Sequence, residues 1–303
     1  MDYDFYHDES LVAGYWHGML LVPTDTREVL LSHLASTRKN LNNLDPINLK
    51  GLKKPSGRQF RSVQAWLILG VSALAQQLKN DPLPLMTGKV TFDQNGKREF
   101  EYSTLRQKIG AKFVVFRVLG GLSALPNTGD YAAKIETTIR MGLKGGMHLL
   151  GAPGASINIR SFHFDGHEHL GRHVDLSNIA GRISGLREYC SFSKTLAVDD
   201  RASDHRQQNA QAYDDCQLLQ LTDLLIGAFR TILGESKNAI QSEVSRPVSQ
   251  LIDRWNRGPA RMKNSRWYRG FCVSQCSLVN SQWQFSNLFS TERGDGHPLL
   301  FNS

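Results

Sequence analysis

Residues 217–229 read Gln217-Leu-Leu-Gln-Leu-Thr-Asp223-Leu-Leu-Ile-Gly227-Ala-Phe229, inside the strongest helical run of the chain, 215–233. On a helix, Asp223 shares a side with Leu219, Gln220, Ile226 and Gly227, three and four residues away. An ionised carboxylate in such apolar company is costly unless something neutralises it. It therefore needs a cation, a metal ion, hydrogen bonds or a structural arginine. Gly227 on the same side is expected to let the helix backbone come close to a sheet.

Strand patterns dominate early in the chain and later alternate with helices. Residues 3–9 are aromatic-rich and alternating, and 15–22 form a second strand ended by Pro23. The short link between them contains Gly14 and predicts an antiparallel hairpin. Thr26 is placed to cap a helix bearing Val29, Leu30 and Leu34. Residues 47–52 suggest a short strand in a basic setting. Val63, Trp66, Leu67, Val71 and Leu74 predict a helix over 60–78. A hairpin is expected over 88–103 around Asn95-Gly96, and 112–119 is the best buried strand. Helices over 130–149 and 174–187 alternate with strands over 156–164 and 191–198. This order predicts an α/β fold, a mixed sheet flanked by helices, over residues 1–235. Residues 236–303 read as a basic, aromatic C-terminal extension.

Composition narrows the function. Among 303 residues, 36 Lys+Arg stand against 28 Asp+Glu, a net charge of +8 with a pI near 9.4. With 40% hydrophobic residues the chain is not of disordered, collagen-like or disulfide-scaffold type. No run of 18 apolar residues occurs, so no membrane partner is expected. The acidic start Met1-Asp2-Tyr3-Asp4 predicts no secretory signal, hence a cytoplasmic location. Of four cysteines only Cys272 and Cys276 are close, and C-x3-C without a second pair reads as reduced thiols rather than a zinc site. A phosphate-binding P-loop, a G-x-G-x-x-G turn and a G-x-S-x-G elbow are all missing.

The positive charge is uneven. Lys50, Lys53, Lys54, Arg58 and Arg61 fall in one stretch with no acid. Arg254, Arg257, Arg261, Lys263, Arg266 and Arg269 fall in a second, interleaved with Trp255, Trp267 and Tyr268. Cations along a surface attract phosphates, and planar rings among them can stack on unpaired bases. Nucleic acid, DNA or RNA, is therefore the expected partner. Lys50, Lys53, Lys54, Arg58, Arg257, Arg261, Lys263, Arg266 and Trp267 are the expected contacts.

Acids stand where such a partner could be cut. Asp8-Glu9-Ser10 ends the first strand, and Asp165-Gly166 ends a later one. Together with Asp223 they can form an oxygen cage for Mg²⁺ or Mn²⁺, which activates water and stabilises charge on a phosphoryl group. His7 projects to the other sheet face and reads as structural.

Tyr6-His-Asp8-Glu9-Ser10 and Leu219-Gln220-Leu-Thr-Asp223-Leu-Leu-Ile-Gly227 resemble the two signature segments of the bacterial family called domain of unknown function 3800. The resemblance covers residues 1 to about 235. It implies a ribonuclease H-like mixed sheet with clustered acids that bind divalent metal. Asp8 then matches the first-strand acid, Asp223 the final-helix acid and Asp165 an acid at an intervening strand end. Glu9 becomes a ligand or its neighbour. The resemblance further implies a bacterial setting of conflict with phage or mobile elements, with protein partners. Three positions depart from the pattern: Leu11 replaces a Gly, Thr222 an Ala, and Asn48 an acid that precedes Lys50 by two residues. Either Asp199, Asp200 or Asp204 fills that role, or activity is reduced or absent.

The expected function is thus metal-dependent cleavage of phosphodiester bonds, with Asp8, Glu9, Asp165 and Asp223 catalytic. A non-catalytic nucleic-acid-binding or assembly subunit on the same fold is the alternative. A third reading places a zinc site in the histidine-rich segment 163–173, at His167 and His169.

Overall fold

The computed structural model describes residues 1–11, 14–74, 84–92, 98–104, 109–121, 125, 131–150, 157–165, 190–201, 210–235, 238–257, 270–280 and 282–288. In chain order it has β1 (Asp2–Ser10), β2 (Tyr15–Pro23), α1 (Arg27–Leu41), α2 (Arg58–Leu74), β3 (Pro84–Phe92), β4 (Arg98–Thr104), β5 (Lys112–Val118) and α3 (Tyr131–Leu150). There follow β6 (Ile157–Asp165), β7 (Cys190–Arg201), α4 (Ala210–Arg230), α5 (Ala239–Val244), α6 (Arg246–Arg257), β8 (Phe271–Val279) and β9 (Gln282–Asn287).

Seven strands form one mixed sheet in the order β7-β6-β1-β2-β5-β8-β9. The expected hairpin joins β1 to β2, and β5 continues antiparallel to β2. On the other side β6 runs parallel to β1, and β7 parallel to β6. β8 lies parallel to β5, with β9 antiparallel at the edge, so part of the C-terminal extension is woven into the main sheet. β3 and β4 make a separate two-stranded sheet, as the 88–103 hairpin requires.

Helices cover both faces of the main sheet, which is why its middle strands are buried along nearly their whole length. On one face Tyr6, Trp16, Leu20, Phe113 and Val115 pack under α1, α2, α4 and α6. On the other, Phe5, Met19, Leu21, Val114 and Phe116 pack under α3 through Ile135, Ile139, Leu143 and Met147. His7 lies on this second face, fully buried, with Nε2 2.8 Å from Nδ1 of His17. The His17 Nε2 in turn meets Thr138 Oγ1 of α3 at 2.7 Å. His7 is a core residue, as its parity indicates.

Three local expectations change. Residues 47–52 are a turn, not a strand: the Asn48 side-chain oxygen accepts from Gly51 N at 2.8 Å, folding the chain back on itself. Thr26 stands at the start of α1 without capping it, because its hydroxyl donates to the Ile109 carbonyl at 2.8 Å. Gly227 faces not the sheet but Leu49, whose Cδ1 lies 2.8 Å from where a Cβ would sit. The close approach of α4 to the sheet is made by Gly18 of β2 instead, where an added Cβ would lie 2.9 Å from Ile226 Cβ. The helix expected over 174–187 and the turn at 93–97 lie outside the described residues.

All four cysteines are free and buried. Cys272 and Cys276 are four residues apart on β8, roughly 13 Å along an extended strand, too far to share a zinc ion. Among the described residues, the run 212–234 has the length and apolarity of a membrane span. Yet 72% of its most apolar window is buried inside the protein, where α4 packs on β1, β2 and α2. Its apolarity is that of a core helix.

Gly18→Ala should therefore push α4 off the sheet. A loss of about 1–3 kcal/mol is expected, the usual cost of overfilling a packed core. Urea denaturation followed by tryptophan fluorescence measures it.

Candidate functional site

Alternation along β1 sends Asp4, Tyr6, Asp8 and Ser10 to the face covered by α4, and all four are buried. Asp8 meets Asp223 there through a hydrogen bond between the two carboxyl groups. Asp8 Oδ1 also accepts from the backbone N–H of Glu9 at 2.7 Å. Burial, then the charges of Asp223 and Asp165, hold the Asp8 carboxyl well above the usual carboxylate range. Burial raises Asp223 as well, but Lys50, the hydrogen bond from Asp8 and Arg230 all favour its charged form. Both carboxyls are thus raised, and the two titrate as a pair rather than as separate groups.

Asp165 follows directly. The parallel pairing of His7 with Phe164 brings the next residue of β6 alongside Asp8 on the same face. Its charge acts on both Asp8 and Glu9. Glu9 is largely buried and accepts a short hydrogen bond from the Tyr15 hydroxyl. Burial and the Asp165 charge push its carboxyl up to about 8. The four acids expected from sequence therefore gather at one end of the sheet. Among the described residues, however, no group of three or more His, Cys, Asp or Glu side chains is arranged to hold a metal ion. The close contact is a pair, with Asp165 acting on Asp8 through its charge.

The loop between α1 and α2 brings a cation to this pair. Arg38 is buried and stacks on Trp66, with 4.6 Å from the guanidinium carbon to the ring centroid. It donates to the side-chain oxygens of Gln217 (2.5 Å) and Gln220 (2.7 Å) on α4, and to the Asp45 carbonyl (2.7 Å). The same Gln220 oxygen accepts from Ile47 N at 3.0 Å. With Leu49 seated against Gly227 and Asn48 closing its turn, the loop is pinned to α4 at several points, and Lys50 is held near Asp223. Asn48 is thus a turn-former, its oxygen already used. Lys53 and Lys54 are exposed on the same loop. Arg58 is exposed too, donating to the Asn42 carbonyl at 2.9 Å and lying 3.7 Å from Asp45.

The second basic stretch is not brought to the site by anything described. Arg257 ends α6, and Arg261, Lys263, Arg266 and Trp267 lie outside the described residues. So do Asp204, His167 and His169. Asp199 and Asp200 belong to β7, paired through the backbone with His163 and Phe164.

Sequence reasoning missed a second polar cluster on the same face. Tyr6 OH and Arg27 Nη2 both donate to Asp215 Oδ1, at 3.1 and 2.8 Å. Arg27 Nε donates to the Tyr6 oxygen at 3.1 Å and lies 3.5 Å from Asp4. Ser161 donates to Asp4 at 2.6 Å, and His163 lies 3.0 Å from Ser161 while stacking on Tyr6 at 4.8 Å. The available signal was parity: Asp4, Tyr6 and Asp8 alternate onto one face of a strand otherwise buried.

No protein-family model and no curated protein matches this chain.

Two outcomes follow for the folded protein without metal. Asp215→Ala strands the Tyr6 hydroxyl and much of the Arg27 charge, at an expected cost of about 2–3 kcal/mol in urea unfolding. Glu9 has a raised carboxyl, so the folded state binds more protons than the unfolded one between about pH 4.5 and 8. Stability should be greatest below that window and fall as pH rises through it. Thermal melts from pH 4.5 to 8.5 should show the fall, and Glu9→Gln should flatten it.

Proposed function

We propose that this chain is a metal-dependent nuclease that hydrolyses phosphodiester bonds in DNA or RNA. One observation carries the reading: the Asp8 and Asp223 carboxyls meet between β1 and α4, with Lys50 and Arg230 acting on Asp223. A divalent cation fits that arrangement, because two carboxylates in contact need a positive charge between them. The small donor number also fits, since Mg²⁺ is commonly bound by one or two carboxylates and completes its shell with water and substrate phosphate.

Asp8 and Asp223 would hold Mg²⁺ or Mn²⁺, with Asp165 joining from β6. A cation so held polarises a phosphoryl oxygen and lowers the pKa of a bound water. The protein's own groups do the rest. Lys50 supplies positive charge beside Asp223 to hold a substrate phosphate, and Lys53, Lys54 and Arg58 extend that charge along the loop. Glu9 stays protonated near neutral pH and so adds no repulsion to the pair. The mixed sheet with acids gathered at the end of a central strand supports the ribonuclease H-like reading and the likeness to domain of unknown function 3800. On that likeness, the enzyme works in the cytoplasm of a bacterium, with protein partners, against phage or mobile elements. Four reduced, buried cysteines accord with that compartment.

A second reading has its own support. The Asn48 oxygen is committed to a turn and brings no charge, so the site has one acid fewer than the family pattern. On that reading the chain binds nucleic acid or assembles on it without turnover.

Cleavage of labelled single- and double-stranded DNA and RNA with Mg²⁺ or Mn²⁺ separates the two. Asp8→Asn and Asp223→Asn should each lower cleavage by about a hundredfold or more while leaving nucleic-acid binding in place. Both should also melt higher than wild type at pH 8 without metal, because each removes one of two repelling acids. Undiminished cleavage by both purified variants would overturn the nuclease reading. Salt-sensitive binding with no metal-dependent cleavage by wild type would favour the binding subunit.

A further inference from the structure

Ser10 lies two residues beyond Asp8, on the same face of β1, and is buried. Arg230 lies seven residues beyond Asp223, two helical turns on and close to the same azimuth of α4. The two side chains meet: Arg230 Nη1 donates to Ser10 Oγ. Strand and helix thus carry a second contact, one step further along, beside the contact between Asp8 and Asp223. Its chemistry is the opposite of the first. An acid pair asks for a cation, whereas a guanidinium with a hydroxyl asks for an anion.

Several features suit that use. The Arg230 charge reaches Asp223, so the guanidinium lies within the field of the acid pair. Arg230 is only partly buried, whereas Ser10 is buried. A guanidinium has five N–H donors in a rigid fork that matches two oxygens of a phosphate. A serine hydroxyl that accepts from a guanidinium still has its own proton to give. A kinked turn over Thr231–Glu235 follows at once, with Gly234 at φ 86°, and the Thr231 hydroxyl donates to the Gly227 carbonyl at 2.8 Å. That bond anchors the backbone from which the guanidinium projects.

We propose that Arg230 and Ser10 form an anion subsite beside the Asp8–Asp223 pair that takes the non-bridging oxygens of a nucleic-acid phosphodiester. The proposal rests on the reading above that nucleic acid is held at the carboxylate pair, whether or not it is cut there. Arg230 then contacts the phosphate directly, while Ser10 fixes the guanidinium.

The test is binding of a fluorescein-labelled single-stranded oligonucleotide in EDTA at low salt, read by anisotropy. Binding of Mn²⁺ alone, read by electron paramagnetic resonance, runs in parallel. R230Q should weaken oligonucleotide binding about tenfold or more, and R230K, which keeps the charge but not the fork, about threefold or more. Mn²⁺ affinity should stay within about twofold of wild type. K39Q, at an exposed lysine of α1, should lose far less than R230Q. Wild-type oligonucleotide affinity in R230Q overturns the subsite, as does an equal loss in K39Q. If R230Q does not fold, wild-type affinity in R230K overturns it. Cleavage assays on the same preparations keep the two proposals apart. Weakened binding by R230Q with no cleavage by wild type ends the nuclease reading and leaves the subsite standing. Cleavage by wild type with unchanged R230Q binding does the reverse.

Discussion

Two carboxyl groups in contact, out of water, cannot both be ionised, and the candidate site is organised around that constraint. Asp8 comes from a central strand of the main sheet and Asp223 from the helix packed deepest against it. Neither element can shift to relieve the repulsion without opening the core. The energy is therefore met by chemistry: burial and mutual repulsion raise both carboxyls, and two cations, Lys50 and Arg230, act on Asp223. A site like this destabilises the fold that holds it.

The meeting of β1 with α4 has a geometry that explains which side chains stand where. Tyr6, Asp8 and Ser10 advance along the strand by roughly 6.6 Å per step, while Asp215, Asp223 and Arg230 advance along the helix by roughly 10–12 Å. The two ladders agree at only one rung. There two short aspartates suffice, close to where Gly18 lets Ile226 come down onto the sheet. Away from it, contact needs long side chains: the Tyr6 phenol and the Arg27 guanidinium reach Asp215, and Arg230 reaches back to Ser10. Short acids in the middle and longer side chains outside are what a strand and a helix of unequal rise require.

Much of this was legible before any coordinates. The alternation of β1, the continuous apolar run of β5 and the periodicity of α2 and α4 each arise from local spacing, and each formed as expected. Asp8, Glu9, Asp165 and Asp223 were legible because acids at strand ends and in an apolar helix conflict with their surroundings. What escaped depends on partners distant in sequence. Thr26 has a capper's chemistry but gives its hydroxyl to Ile109, 83 residues on. Gly227 is small because Leu49 must fit against it, not because of the sheet. Arg27 and Asp215, 188 residues apart, carry no local mark of their pairing.

Lys50 shows the same lesson with a functional consequence. Its stretch looked like a strand because Ile47, Leu49 and Leu52 are apolar and spaced for one. Those residues are buried, but in a turn that folds onto α4 rather than in a ladder. A strand would have held Lys50 through the backbone of a neighbouring strand. The turn holds it through Gln220 and Gly227, three residues before and four after Asp223 on one helix. Charge and carboxylate are thus referred to the same rigid element. The backbone that carries Lys50 is therefore placed by the same helix that carries Asp223.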